Sequence, residues 1–145
     1  MTLRVPQKEV GGALEYFVNR SSPQDLVLRL YVNDHTPEDA DVAESYVEAS
    51  GSGYEPIKLS GANWSAPTQQ GAHSEIEYAE QVFVFSGGIG RVFGYYMARE
   101  TNGLLALAER FTDGPYDIRN NGDRIKIRPK ITAVAVKTGG NNGRD

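Results

Sequence analysis

Reactive chemistry in this sequence would have to come from His35, His73, three carboxylate groups or one glycine-rich turn, because the chain has no cysteine. Thiolate nucleophiles, disulfides and cysteine-based zinc sites are thereby excluded. His35 directly follows Asp34, and neighbours on an extended chain point to opposite sides, so the two do not make a histidine–carboxylate base. His73 stands in a separate polar segment, and neither histidine has a second one at metal-binding spacing; both read as ordinary loop histidines. Glu38, Asp39 and Asp41 in "PEDADV" offer the oxygen ligands a hard cation takes, but the patterned loop with glycine at a fixed place is missing. They read as a solvated acidic loop. Glu75, Glu77 and Glu80 resemble the paired carboxylates of a glycoside hydrolase. Their alternation with Ile76 and Tyr78 instead assigns Glu75 and Glu77 to the outer face of a strand. "SGGIGR", 86–91, lacks the Lys-Ser/Thr pair and the following helix of a phosphate loop, and is expected to be a turn that needs positive φ. No catalytic residue, cofactor site or metal site is expected.

The sharpest local feature is basic. Arg124, Lys126, Arg128 and Lys130 share one strand face, with Arg119 joining them across a hairpin. Four like charges on one face repel one another. Two readings follow: a solvated face that protects a strand from edge pairing, or a docking surface for an acidic partner. Nucleic acid is a weaker version of the second, because no aromatic residues interleave with the stripe on its own face.

The elements that must position these residues are mostly strands. "LVLRLYV", 26–32, alternates Leu26, Leu28, Leu30 and Val32 against Val27, Arg29 and Tyr31. "NDHTPEDAD" and "PTQQGAHS" are expected as loops. "ESYVEAS" reads as a short strand or irregular segment. "YEPIKLS" is a strand demoted to an edge or a bulge by Pro56. "EIEYAEQVFVF" is one extended run, with Val82–Phe85 apolar on both faces like a central strand. "RVFGYYMARE" and "GLLALAERF" form a hairpin around Glu100-Thr101-Asn102-Gly103. "YDIRNNGDRIKIRPKITAVAV" forms a second one around Asn120-Asn121-Gly122-Asp123, with a long return strand. Near the N-terminus, Val10, Leu14, Phe17 and Val18 fall on one face of a short helix, although Gly11 and Gly12 weaken it by about 1 kcal/mol each.

The chain of 145 residues is the size of one domain, with 39% hydrophobic and 23% charged residues. A net charge of −4 argues against phosphate binding by the whole surface. No apolar run of about 18 residues is present, so no transmembrane helix is expected. "MTLRVPQKEVGG" has no apolar core of a secretory signal. Short strands with turn signals every 8 to 12 residues predict an all-β, single-domain antiparallel β-sandwich, jelly-roll-like, with one short N-terminal helix. The expected division is an arm and helix over 1–20, the sandwich over 21–136 and a flexible tail over 137–145.

In this order, "LVLRLYVNDHTPEDADV", "YVEASGSGYEPIKLSGANW", "YAEQVFVFSGG", "VFGYYM", "LLALAERF" and "GPYDIRNNGDRIKIRPKITA" resemble a family of small virion structural proteins of tailed bacteriophages. The resemblance covers about Val5 to Thr132. Its most specific parts are the Tyr-Val-Asn-Asp-x-Thr-Pro segment, the "GYY" strand, the "AERF" end and the closing "NGDRIKIRPKIT". "LLALAERF" has an Ala-Leu pair where the family pattern has a Trp. The resemblance implies a capsid decoration, or cement, protein: a non-enzymatic β-sandwich on the outer surface of the assembled head, made in the host cytoplasm.

Its implied partners are the major capsid protein and further copies of itself, as a homodimer or homotrimer; neither nucleic acid nor membrane is expected. The arm Met1 to Gly12 is a candidate for reaching a neighbouring subunit, and the basic strand for docking on acidic capsid loops. Two alternatives remain: a tail, baseplate or fibre module, and a carbohydrate-binding sandwich with Trp64 and nearby tyrosines in a groove.

Overall fold

The computed structural model describes residues 2–5 and 25–135. Within them the regular elements are nearly all strands: β1 (Thr2–Val5), β2 (Leu26–Tyr31), β3 (Ile57–Leu59), β4 (Thr68–Gln70), β5 (His73–Glu77), β6 (Gln81–Val84), β7 (Gly90–Val92), β8 (Gly94–Arg99), β9 (Leu105–Arg110), β10 (Tyr116–Ile118), β11 (Arg124–Ile127) and β12 (Lys130–Ala135). Two single 3-10 turns, Ala43–Ser45 and Gly61–Asn63, complete the elements. The expected helix over 10–18 and tail over 137–145 lie outside the described residues.

From β5 onward the pairing is nested and antiparallel. β8 pairs with β9, β7 with β10, β6 with β11 and β5 with β12. β2 adds to β8 and carries β3 on its far side, while β4 and β1 add to β5 and β12. The result is two four-stranded sheets, ordered β1-β12-β5-β4 and β3-β2-β8-β9, and two ribbons, β10-β7 and β11-β6. The one parallel pair among the described residues is β1 with β12, so Thr2–Val5, part of the expected reaching arm, lies along this chain's own sheet.

All four sheets feed one core. Leu26, Leu28 and Leu30 of β2 and Met97 of β8 meet Ile76 of β5, Ile131 of β12, Phe83 of β6, Ile125 of β11, Val92 of β7 and Ile118 of β10. Each fully buried aliphatic side chain contributes about 1.5–3 kcal/mol. The single tryptophan, Trp64, also belongs to this core, with its ring edge-on to Tyr78.

The β3-β2-β8-β9 sheet is covered over part of its other face as well. Tyr31 and Tyr96 project there and meet Tyr46 from the segment after the long acidic loop, with ring centroids 4.9 and 5.1 Å from that of Tyr46. Double burial makes β8 the central strand: every residue from Gly94 to Ala98 is buried. The place of Tyr31 fixes the residue opposite it. Tyr31 is in register with Gly94, and a Cβ at Gly94 would lie 2.3 Å from the Glu109 carbonyl oxygen and 2.6 Å from Tyr31 Cε2. Only glycine leaves room for that ring.

The hairpin of β8 and β9 forms as the sequence predicts. Gly103 takes φ 73°, its N–H donates to the Arg99 carbonyl at 2.8 Å, and the Arg99 N–H donates to Leu104 at 2.9 Å. Pro56 does precede an edge strand, β3, and the 86–90 turn does use positive φ, at Gly90.

Several expected strands divide. "RVFGYYMARE" breaks at Phe93 because β7 joins β10 whereas β8 joins β2 and β9. "EIEYAEQVFVF" breaks after Glu77, and Val82–Phe85 is no central strand: β6 has one neighbour, with Val82 and Val84 exposed. The second hairpin does not form. β10 and β11 flank the Asn120–Asp123 turn but pair with β7 and β6. The long return strand splits at Pro129 into β11 and β12, in different sheets. "PTQQGAHS", expected as a loop, contains β4 and its hairpin to β5; its polar side chains hid a strand that is exposed on both faces.

Gly94→Ala is expected to destabilise the fold by at least about 1–3 kcal/mol, the cost of overpacking a closed site. Urea unfolding of the variant against the natural chain measures it.

Candidate docking surface

The ribbon of β6 and β11 has two unlike faces. Phe83, Ile125 and Ile127 enter the core. On the opposite face Arg124 stands across from Val84, and Lys126 across from Val82. Arg124, Lys126 and Arg128 are exposed, and none has an ion-pair partner among the described residues. Val82 and Val84 are 37% and 51% exposed, which is unusual for valines in a strand. The outward surface is therefore a row of cations beside a short apolar row.

The other two residues of the predicted stripe do not join this row as free charges. Arg119 donates from Nε to Asp117 Oδ2 at 2.7 Å, in the stretch before the turn. Its main-chain N–H and that of Asn120 both donate to Asp123 Oδ2, at 2.9 and 3.0 Å. These bonds hold the Asp123 carboxyl below the usual carboxylate range and fix the turn that launches β11. Lys130 begins β12, in the other sheet, with its Nζ 3.7 Å from Glu75 Oε1. The candidate face is thus Arg124, Lys126 and Arg128, with Val82 and Val84 as members that charge-based reading missed. Their signal in the sequence was an apolar run longer than one buried face requires.

The acidic loop is organised around one carboxylate. Asp41 Oδ2 accepts from the Tyr46 hydroxyl at 2.6 Å and from the Glu38 N–H at 2.9 Å, and lies 2.8 Å from His35 Nε2. The Tyr46 bond first, then the Glu38 and His35 contacts, holds the Asp41 carboxyl down at about 2. Burial, with Asp41 beside it, raises the Tyr46 hydroxyl above the usual phenol range. Burial likewise pushes Tyr31 up to about 12, and its hydroxyl donates to the His35 carbonyl at 2.9 Å. The loop is thereby tied to the tyrosine layer over β2 and β8. Asp34 turns the other way, to Arg110 Nη2 at 2.7 Å, so the adjacent Asp34 and His35 part as expected.

This network is structural in form. Asp41 spends one oxygen on the fold, and no group of three or more His, Asp or Glu side chains among the described residues is placed to hold a metal ion. Glu75 and Glu77 are partly buried on β5 and Glu80 lies beyond it, exposed; Glu75 neighbours Lys130. Trp64 is 2% exposed, which removes it from any sugar-binding groove. No family model, no curated protein and no solved structure matches this chain.

Asp41 contributes stability that is fully present above its ordinary value of 3.8 and is lost as pH falls through about 2. Tyr46→Phe removes the largest cause of the depression while keeping the ring. Carbon-13 NMR titration is expected to move the Asp41 midpoint upward from about 2. Stability of the variant is then expected to depend less steeply on pH between about 4 and 2.

Proposed function

We propose that this chain is a non-enzymatic virion structural protein, a decoration protein that binds the outside of an assembled phage head and stabilises it. The sequence resemblance supplies the virion. The observation that carries a binding role is the β6–β11 ribbon, with three cations that have no ion-pair partner among the described residues beside two exposed valines on a core-anchored surface. A cation row without acids of its own is complementary to an acidic partner surface, and such complementarity sets register and rate of attachment. A protein that binds the assembled shell and not its free subunits stabilises the shell by mass action. Many copies multiply modest contacts.

The proposed fold is a jelly-roll-like sandwich. Four nested antiparallel pairs, β5–β12 through β8–β9, are the pairing of a rolled hairpin, and a single core shared by all sheets fits two facing layers. A small homo-oligomer, dimer or trimer, would suit two-fold or three-fold positions of a capsid.

Cosedimentation with undecorated heads, read by cryo-electron microscopy, tests the reading. Regular density at symmetric joints of the shell is the expected result. Protein left in the supernatant moves the assignment to the tail or away from the virion. The double variant Lys126→Glu/Arg128→Glu is expected to weaken attachment at least about tenfold, equivalent to about 1.4 kcal/mol. Attachment of the natural chain is expected to weaken as salt rises.

A further inference from the structure

Among the described residues the β6 side of the same ribbon is an open edge. The Phe85 N–H donates to the Asp123 carbonyl at 2.9 Å, and these residues continue the register that sets Val84 opposite Arg124. Hydrogen-bonded and non-hydrogen-bonded pairs alternate along an antiparallel ladder. Gln81 and Phe83 therefore turn their main-chain groups toward β11, while Val82 and Val84 turn theirs away from it. No described residue bonds to the main chain of Val82 or Val84.

What stands beside that edge is a recess of about 250 Å³, lined by Gly53–Ile57 on one side and Val82–Val84 on the other. The two walls touch at one end, where the Ser86 N–H donates to the Ser52 carbonyl at 2.8 Å and Tyr54 stacks on Phe83 at 5.8 Å. Farther along they do not pair. Pro56 has no N–H to give. The recess is a sheet edge whose donors and acceptors are used by no described residue, with an aromatic floor.

We propose that this edge accepts an extended segment of a partner protein as an added strand, and that the segment carries acidic side chains alternating with apolar ones. Strand addition satisfies the Val82 and Val84 main chain. Side chains of an added strand alternate between two faces. One set points inward, toward Phe83 and Tyr54, and is apolar. The other lies on the face of Val82 and Val84, two strands from Arg124 and Lys126, a gap of roughly 10 Å. Long Arg and Lys side chains lie across the valines and meet carboxylates reaching back. The exposed valines are then the apolar bed over which those stems run. The only acid lining the recess, Glu55, belongs to the opposite wall. The inference rests on the reading of the ribbon as a docking face and specifies how the partner is held.

Selection from a random ten-residue peptide display library against the full chain tests it. The expected pool is enriched in Asp or Glu at every second position. In the complex, hydrogen exchange at the Val82 and Val84 amides slows at least about tenfold. Val84→Pro removes an outward N–H without touching the β6–β11 ladder, and is expected to cut binding of the selected peptides at least tenfold. Should that variant fail to fold, Val82→Pro and the amide protection carry the test. A pool without acidic alternation, no selected pool, or peptides bound equally by Val84→Pro would overturn the inference. So would a dimer of this chain that Val84→Pro dissolves, since the edge would then be taken by a second copy. Head attachment lost by charge reversal but kept by Val84→Pro overturns strand addition alone; attachment kept by both variants overturns the docking face as well.

Discussion

The pairing of β2 with β8 is the constraint on which the rest of this fold hangs. β8 is buried on both faces, whereas β2 is buried along its leucine face and, on the other, at Tyr31, so the pair needs cover on both sides. Leu26, Leu28 and Leu30 face the main core. Tyr31, at the strand end, goes to the other side, where its ring takes the space a side chain at Gly94 would fill. A second layer over this face then becomes obligatory, because two tyrosine rings in the open would forfeit their burial. Tyr46 provides it, and the acidic loop is the length of chain needed to bring Tyr46 there.

The charge pattern of that loop follows from the same requirement. A phenol carried into an apolar layer needs a hydrogen-bond partner. Asp41 accepts from Tyr46 while its own depression by main-chain and side-chain donors keeps it ionised. Tyr54 and Glu48 repeat the arrangement in the irregular chain between β2 and β3, where both Glu48 carboxylate oxygens also accept from Arg29 Nη1 at 2.9 Å. Asp34, Asp41 and Glu48 in this region are thus anchors for tyrosines and arginines. Acids placed this way stabilise one loop conformation more than they supply a reactive centre.

The β6–β11 ribbon is organised on the opposite principle. It is tied to the core through one face only, and among the described residues its outward face has neither covering loop nor compensating acid. One edge is closed by β11; the other is left open where the Gly53–Ile57 segment diverges. Natural edges are commonly blunted by charge or proline. Here the charge sits on β11, the other strand of the two-stranded ribbon, and the proline sits on the wall facing β6. The edge itself is flanked by valine.

The sequence by itself determined the local facts. Alternation gave β2 its buried face, Asn102-Gly103 placed the tight hairpin, Pro56 marked an edge, and the spacing of Arg124, Lys126 and Arg128 put three cations on one exposed face. Each depends on neighbours within a few residues, where side-chain period and turn geometry dominate. Tertiary structure decided which strand meets which. The Asn120–Asp123 turn looks like a hairpin turn, yet its flanking strands find distant partners, β7 and β6, rather than each other. Pairing is chosen by which apolar faces can share one core, a global condition no window of sequence contains. For the same reason Lys130 left the basic row, Trp64 went inside, and Val82 and Val84, apolar like core residues, came to line an open edge. The sequence states what each face is made of; only packing settles what the face is against.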